Sequence, residues 1–330
     1  MKQKIAVVGG SFTSESDISK NSAVQVSGMI DSNKFDVYTV FISHGDWMVQ
    51  TQDGEIPIDK SDFSFMYKGK KITFDCVYNT IHGTPGEDGQ MPGYWELLGI
   101  PYTSCGVFSG ALTFNKYATK TFLRSFGVNT ADAVLLRPRD EIKVSEIVKK
   151  VGLPCFVKPN NGGSSFGVSK VKTEAEMIPA IKKAFGEDSE VIIERFVKGI
   201  EVSVGVYEVK NGIHVLPITE IQTKNEFFDY QAKYEAGYSQ EITPAELPEK
   251  ITAACKEETA KIYKYLNCFG ICRVDFIITH DGVMNFLEIN TNPGMSKASI
   301  VPKQMRAEGV IESEVFASLI QHAIAMKKKA

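Results

Sequence analysis

The chain has 330 residues, 43% of them hydrophobic and 23% charged, with 37 Lys and Arg against 40 Asp and Glu. That composition excludes wholesale disorder and collagen-like repeats, and a net charge of -3 gives no electrostatic reason to expect nucleic acid or an anionic membrane as a partner. No apolar run approaches the roughly 20 residues needed to cross a bilayer, and Ile5 to Val8 is too short for a signal-peptide core; the cysteines, which read as reduced thiols, lead to the expectation of a cytoplasmic protein.

KIAVVGG is a buried-type strand ending in two glycines. It leads into a helix over Ser14 to Asp31, with Ser14 as its expected cap. A second strand runs from Phe35 to Ile42. Gly45 to Lys71 is rich in turn residues, and Gln52-Asp53-Gly54 and Lys68-Gly69-Lys70 mark small hairpins. Phe74 to Asn79 is a third strand ending at His82-Gly83, and the order suggests a parallel α/β sheet. Phe114 to Phe126 has helical spacing. Short strands at 134–136, 154–158 and 191–194 are separated by helices near 143–151 and 173–185. Strands at 201–209 and 213–219, a polar aromatic loop at 222–240 and a helix from Glu246 to Leu266 follow. The chain closes with an amphipathic helix carrying Val315, Phe316, Leu319, Ile320, Ala323 and Ile324 on one face. Six cysteines are too sparse for a disulfide framework and read as reduced, mostly buried thiols. Cys268 and Cys272 are the closest pair, and no second pair completes a zinc set.

The most informative stretch runs from Ile271 to Asn290. Asp281-Gly282 is a two-residue hairpin signal, and with that turn Asp275 faces Glu288, Arg273 faces Asn290, Val274 meets Ile289 and Phe276 meets Leu287. One face is dry; the other gathers Arg, Asp, Glu and Asn. Two carboxylates directly across a sheet repel, unless a hard divalent cation, Mg²⁺ or Mn²⁺, sits between them with the Asn290 amide oxygen as a further ligand. The same four residues also fit a face on which Arg273 neutralises both acids. A three-residue loop would move the acids off register.

Lys158-Pro-Asn-Asn-Gly-Gly-Ser-Ser-Phe-Gly167 follows a strand. Its glycines let backbone N–H groups line a concavity for anions, Ser164 and Ser165 can donate hydroxyls to phosphate, and Lys158 supplies a point charge. A solvent-exposed turn has the same composition. No Walker motif is present, and Gly9 to Ser14 does not satisfy G-x-G-x-x-G.

Several segments together resemble the ADP-forming D-alanine–D-alanine ligases of the ATP-grasp superfamily. They are Gly9-Gly10 with Glu15 and Ser19, His82-Gly83-Thr-Pro-Gly86-Glu87-Asp88-Gly89, the Gly-Gly-Ser-Ser loop, Phe228-Asp229-Tyr230-Gln-Ala-Lys233-Tyr234, Arg273-Val-Asp275, and Glu288-Ile-Asn290-Thr-Asn-Pro293-Gly294-Met295 leading to Ser299. The resemblance implies an ATP-grasp fold, two α+β domains clamping ATP, preceded by an open parallel α/β N-terminal domain. The expected division is 1–112, 113–198 and 199–330. It implies that ATP phosphorylates one D-alanine and that the amine of a second attacks the acyl phosphate, for peptidoglycan precursor synthesis. Lys116 and Lys158 would contact phosphates, with Lys233 at the γ-phosphate. Glu194 and the Phe196–Val197 backbone would frame adenine, and Glu201 the ribose. Asp275, Glu288 and Asn290 would hold two Mg²⁺ or Mn²⁺ ions. Arg273 and the Gly294 N–H would stabilise an oxyanion, Glu15 and His82 would face the first D-alanine, and Ser299 the second. A hydrogen-bonded chain from Glu15 through Ser164 to Tyr234 would close the site. Tyr234 favours D-alanine over D-lactate as second substrate, and family members are commonly homodimers. Competing readings are another ATP-grasp carboxylate–amine ligase, such as a D-alanine–D-lactate enzyme, and a catalytically silent nucleotide-binding protein.

Overall fold

The computed structural model describes residues 2–163, 166–223 and 238–327. Alternating apolar runs and turn residues produce three sheets, each with its own helices. The first holds β1 (Gln3–Gly10), β2 (Phe35–Ile42), β3 (Trp47–Thr51), β4 (Gly54–Pro57) and β7 (Cys76–Asn79), in the order β4-β3-β2-β1-β7. A small ribbon of β5 (Phe65–Tyr67) and β6 (Lys70–Ile72) stands beside it. β1 pairs in parallel with both β2 and β7, while β3 and β4 add antiparallel edge strands. The N-terminal sheet is therefore mixed, because its hairpins extend the parallel centre.

Helix α1 spans Ser16–Met29 and packs Ala23 and Val26 against the sheet. Its N-cap is Glu15, not Ser14, and no side chain caps it. α2 (Gln90–Leu97) buries Trp95 completely. The helical stretch expected at 114–126 is two helices, α3 (Val107–Phe114) and α4 (Lys116–Arg124). Asn115 breaks it, because its Oδ1 accepts from the Ala118 N–H at 2.9 Å as an N-cap.

The second sheet is antiparallel: β8 (Ala133–Leu136), β9 (Cys155–Pro159), β10 (Ser169–Val171) and β11 (Val191–Arg195), in the order β10-β9-β11-β8. It is backed by α5 (Val144–Val151) and α6 (Glu174–Phe185), whose Met177, Ile181 and Ala184 join its core.

The third sheet is also antiparallel, ordered β14-β13-β12-β15-β16. It contains β12 (Ile200–Val209), β13 (Gly212–Thr223), β14 (Ser239–Ile242), β15 (Ile271–Ile278) and β16 (Met284–Asn290). α7 (Glu249–Tyr265) and α8 (Ile300–Glu308) pack on β13. The C-terminal α9 (Glu312–Lys327) joins the first and third sheets, with Phe316 edge-on to Tyr78 at 5.4 Å between ring centroids. Burying a side chain of that size contributes roughly 1.5–3 kcal/mol, so this helix ties the ends of the chain together. Among the described residues no helix is long and apolar enough to cross a membrane.

Candidate active site

The site starts from the β15–β16 hairpin. Asp275 pairs with Glu288, Arg273 with Asn290 and Val274 with Ile289, as the alternation predicts. Phe276, however, meets Phe286 and not Leu287. Thr279 N–H donates to Val283 O at 3.0 Å, so the loop is the three residues His280, Asp281 and Gly282, with Gly282 at φ +83°. Such a loop displaces the ladder by one residue, and the extra residue Leu287 forms a bulge that shifts it back. Two irregularities cancel, and the acids face each other.

On the polar face Asp275 is buried, while Arg273, Glu288 and Asn290 are partly exposed. Arg273 Nε and Nη2 donate to both Asp275 oxygens at 2.8–3.2 Å, and Ser203 Oγ on the neighbouring strand donates to Oδ1 at 2.5 Å. A bidentate guanidinium–carboxylate pair holds both groups in one orientation. Glu288 Oε2 lies 3.9 Å from Lys116 Nζ, and Lys116 also donates to Gly162 O at 2.5 Å. α4 thus brings its first residue to the acid of β16 and to the glycine loop after β9.

Four residues further along α4, Lys120 lies one turn from Lys116 on the same helix face. Lys120 is 2% exposed and makes an ion pair with Glu194 of β11; Lys158 Nζ of β9 meets the other Glu194 oxygen at 2.5 Å. Burial opposes ionising Glu194, but the two ammonium groups prevail and hold it down at about 2. Burial and the nearby Lys158 charge pull Lys120 down to about 8, against the pull of Glu194. Within this buried cluster two ammonium groups meet one carboxylate, and the charges of Glu288 and Glu201 also act on them. Motif matching does not find Lys120; its spacing of four from Lys116 is the available signal.

These groups line two adjoining cavities. The larger, about 610 Å³, is bounded by Lys116, Lys120, Lys158, Glu194, Phe196 and Glu201. Phe156 and Phe196 form its apolar wall, 6.0 Å between ring centroids, with Lys170 4.6 Å from the Phe196 ring centre. Val197 also lines it. An aromatic wall at one end and cations at the other suit a planar base joined to phosphates.

The smaller cavity, about 320 Å³, is lined by Glu15, His82, Arg273, Asn290, Gly294 and Ser299 among others. Lys116, Gly162, Gly163 and Glu288 line both. The Glu15 carboxylate sits between two glycines: an added Cβ would come within 2.9 Å of it at Gly83 and 3.0 Å at Gly163. Gly83, at φ +70°, must also adopt the left-handed region, so both the turn and the close approach require glycine. His82 is buried with Nε2 3.0 Å from Ser22 Oγ; burial lowers its basicity, against the pull of Glu15. Ser299, the residue before α8, makes no side-chain capping bond; its Oγ is 2.8 Å from Ser296 Oγ, and a Cβ at Gly294 would lie 3.0 Å from it.

Glu87 is a further residue that motif matching quotes without a role. Burial and the charge of Glu15 raise its carboxyl to about 8, although its Oε2 accepts the Gly83 N–H at 2.6 Å. The structure therefore brings together Glu15, His82, Lys116, Lys158, Glu194, Phe196, Val197, Glu201, Arg273, Asp275, Glu288, Asn290, Gly294 and Ser299 around the two cavities and the hairpin between them. Ser164, Ser165, Lys233 and Tyr234, with the hydrogen-bonded chain assigned to them, lie outside the described residues.

Comparison with known proteins identifies the family. Residues 4–105 match the model of the D-ala D-ala ligase N-terminus, and residues 122–321 that of the D-ala D-ala ligase C-terminus. A D-alanine–D-alanine ligase of Phocaeicola vulgatus is 48% identical over 98% of this chain and 99% of its own length. One of Christiangramia forsetii is 49% identical over 99% and 100%. Among solved structures, the VanG D-Ala:D-Ser ligase of Enterococcus faecalis superposes with a TM-score of 0.87 at 31% identity, covering 98% of this chain and all of that one. A Bacillus anthracis D-alanine–D-alanine ligase complexed with ATP gives 0.79 at 30%, covering 99% of each. The fold is ATP-grasp, and the chain belongs to the D-alanine–D-alanine ligase family.

Proposed function

We propose that the two adjoining cavities divide the work of an ATP-dependent D-alanine–D-alanine ligase, the larger holding ATP and the smaller the amino acids. Membership of the family makes the chain an ADP-forming ligase that joins two D-alanines for peptidoglycan synthesis. The observation that carries the division is the shared boundary. Lys116 and Glu288 line both cavities, next to the buried pair of ammonium groups that Glu194 holds.

In this reading Phe156, Phe196 and Val197 hold the adenine and Glu201 the ribose, while Lys158, Lys120 and Lys116 face the phosphates. Glu194 fixes two of those ammonium groups and so prepays their orientation before ATP arrives. Glu15, between its two glycines, takes the ammonium of the first D-alanine, with His82 beside it. A carboxylate oxygen of that D-alanine attacks the γ-phosphorus, and the bond to ADP breaks. The amine of the second D-alanine, whose carboxylate meets Ser299, then attacks the acyl carbon. The carbon–oxygen bond to phosphate breaks and the amine gives up a proton. Arg273 and the Gly294 N–H stabilise the oxyanion between those events. The family resemblance assigns phosphate and closure roles to Ser164, Ser165, Lys233 and Tyr234.

Asp275, Glu288 and Asn290 offer oxygen donors alone, on one face of one hairpin, beside the cavity boundary. That donor set fits Mg²⁺ or Mn²⁺. Two such ions would be held there and would neutralise charge on the phosphoryl oxygens. We also infer a division at 112/113 and 198/199, supported by the three separate sheets, together with a cytoplasmic location and a homodimer without nucleic-acid or membrane partners. A coupled ADP-release assay tests the reading. ADP release should require D-alanine and Mg²⁺ and should fail with L-alanine, and D-lactate should not replace the second D-alanine. ATP binding without turnover on any D-amino acid would refute it.

A further inference from the structure

Outside the ligase site, three thiols converge. Cys105 lies in the loop before α3, Cys268 in the loop after α7, and Cys272 on β15; their sulfurs all lie within 4.8 Å of one another. They are 3%, 7% and 0% exposed, and none is in a disulfide. Cysteine spacing alone leaves Cys268 and Cys272 without a complement; the fold supplies the third sulfur from a distant segment.

We propose that Cys105, Cys268 and Cys272 form a trithiolate site for one thiophilic d10 cation, Zn²⁺ or Cu⁺. Three sulfurs bound to one such ion at about 2.3 Å each lie about 3.8–4.0 Å apart, so binding would draw the sulfurs, now within 4.8 Å of one another, together by at most about 1 Å. The Phe269 N–H donates to Cys105 Sγ at 3.4 Å. Sulfur ligands without oxygen or imidazole select soft ions and reject Mg²⁺.

The site also has a structural consequence. Tyr263 O–H donates to Gly270 O at 2.8 Å and Ser109 O–H to Asn267 O at 2.9 Å, so the 267–272 turn is already pinned to α7 and α3. A bound ion would add a covalent clamp between the N-terminal segment ending at Cys105 and the strand that carries Arg273 and Asp275.

The test uses the reduced full-length chain in saturating Mg²⁺, which occupies oxygen ligands. Cd²⁺ serves as the optical probe, and separate arms titrate Zn²⁺ and Cu⁺ against chromophoric chelators. One ion per chain should bind with thiolate-to-metal charge-transfer absorption, and C105S, C268S and C272S should each weaken it at least about tenfold. Zn²⁺ or Cu⁺ should raise the Tm of the wild type and not of the variants. Should a variant fail to fold, native mass spectrometry of the wild type decides: binding through thiolates expels protons, and binding through carboxylates or none expels none. No charge-transfer band, or equal binding by wild type and all folded variants, would overturn the proposal and leave the three sulfurs as core packing.

Discussion

Arg273 makes two bonds to Asp275 through Nε and Nη2 while lining the smaller cavity. Its position is set by the acid, and its side chain reaches the cavity in that fixed orientation. Arg273→Ala is expected to lower kcat by roughly 10²–10³-fold, by analogy with losing an oxyanion donor. Steady-state kinetics showing less than about a fivefold loss would remove it from that role. Lys120 gives a separate prediction. Lys120→Met leaves Glu194 paired with Lys158 alone and removes one ammonium group from the larger cavity, so KM for ATP should rise about tenfold, with kcat less affected, because one charge-assisted contact contributes about 1.4 kcal/mol. An unchanged KM would mean that the cluster serves folding alone. The two residues also differ in legibility. Arg273 belongs to a readable alternation, whereas Lys120 acquires meaning only when β11 places Glu194 opposite α4.

At the scale of elements, the hairpin was readable because a two-residue period puts one set of side chains on each face whatever the tertiary context. Its irregularities were not. The sequence Thr279-His280-Asp281-Gly282 is compatible with a two- or a three-residue loop, and the compensating bulge at Leu287 depends on pairing that no local signal records. The facing of Asp275 and Glu288 came out as expected through a ladder that differs from the expected one. The break between α3 and α4 was within reach, since Asn115 is a good N-cap residue in the middle of an apolar helical run. The carboxylate pair carries this scale's prediction. Asp275→Asn with Glu288→Gln should abolish Mg²⁺-dependent ADP release and leave the circular dichroism spectrum intact, because both amides fill the same volume and the new carboxamide on β15 can still accept from Ser203. Full turnover at saturating Mg²⁺ would refute a metal role for the pair.

At the scale of the molecule, the seam between the first and third sheets was the least legible feature, because it joins segments at opposite ends of the chain. α9 reads as an amphipathic helix in sequence, yet nothing local says that Phe316 meets Tyr78. Near the same seam Asn292 Nδ2 donates to Ile81 O at 3.1 Å, and Glu87 lies between Gly83 and the Asn292 backbone. Burial and Glu15 raise the Glu87 carboxyl to about 8 in the folded chain, whereas in the unfolded chain it titrates near the ordinary value of about 4.3. Between those two values the folded state binds the extra proton, so the Glu87 contribution to stability falls as pH rises from about 4.5 to 8. Glu87→Gln keeps an acceptor for the Gly83 N–H and has no charge to desolvate. Relative to wild type it should therefore gain stability progressively across that window, by on the order of 1–2 kcal/mol at pH 8, less than the full linkage value because the residue is partly exposed to the cavity. Urea unfolding of both proteins at pH 5 and pH 8 measures the difference of differences. A gap that stays constant with pH would show that Glu87 ionises normally and that the seam does not keep it protonated.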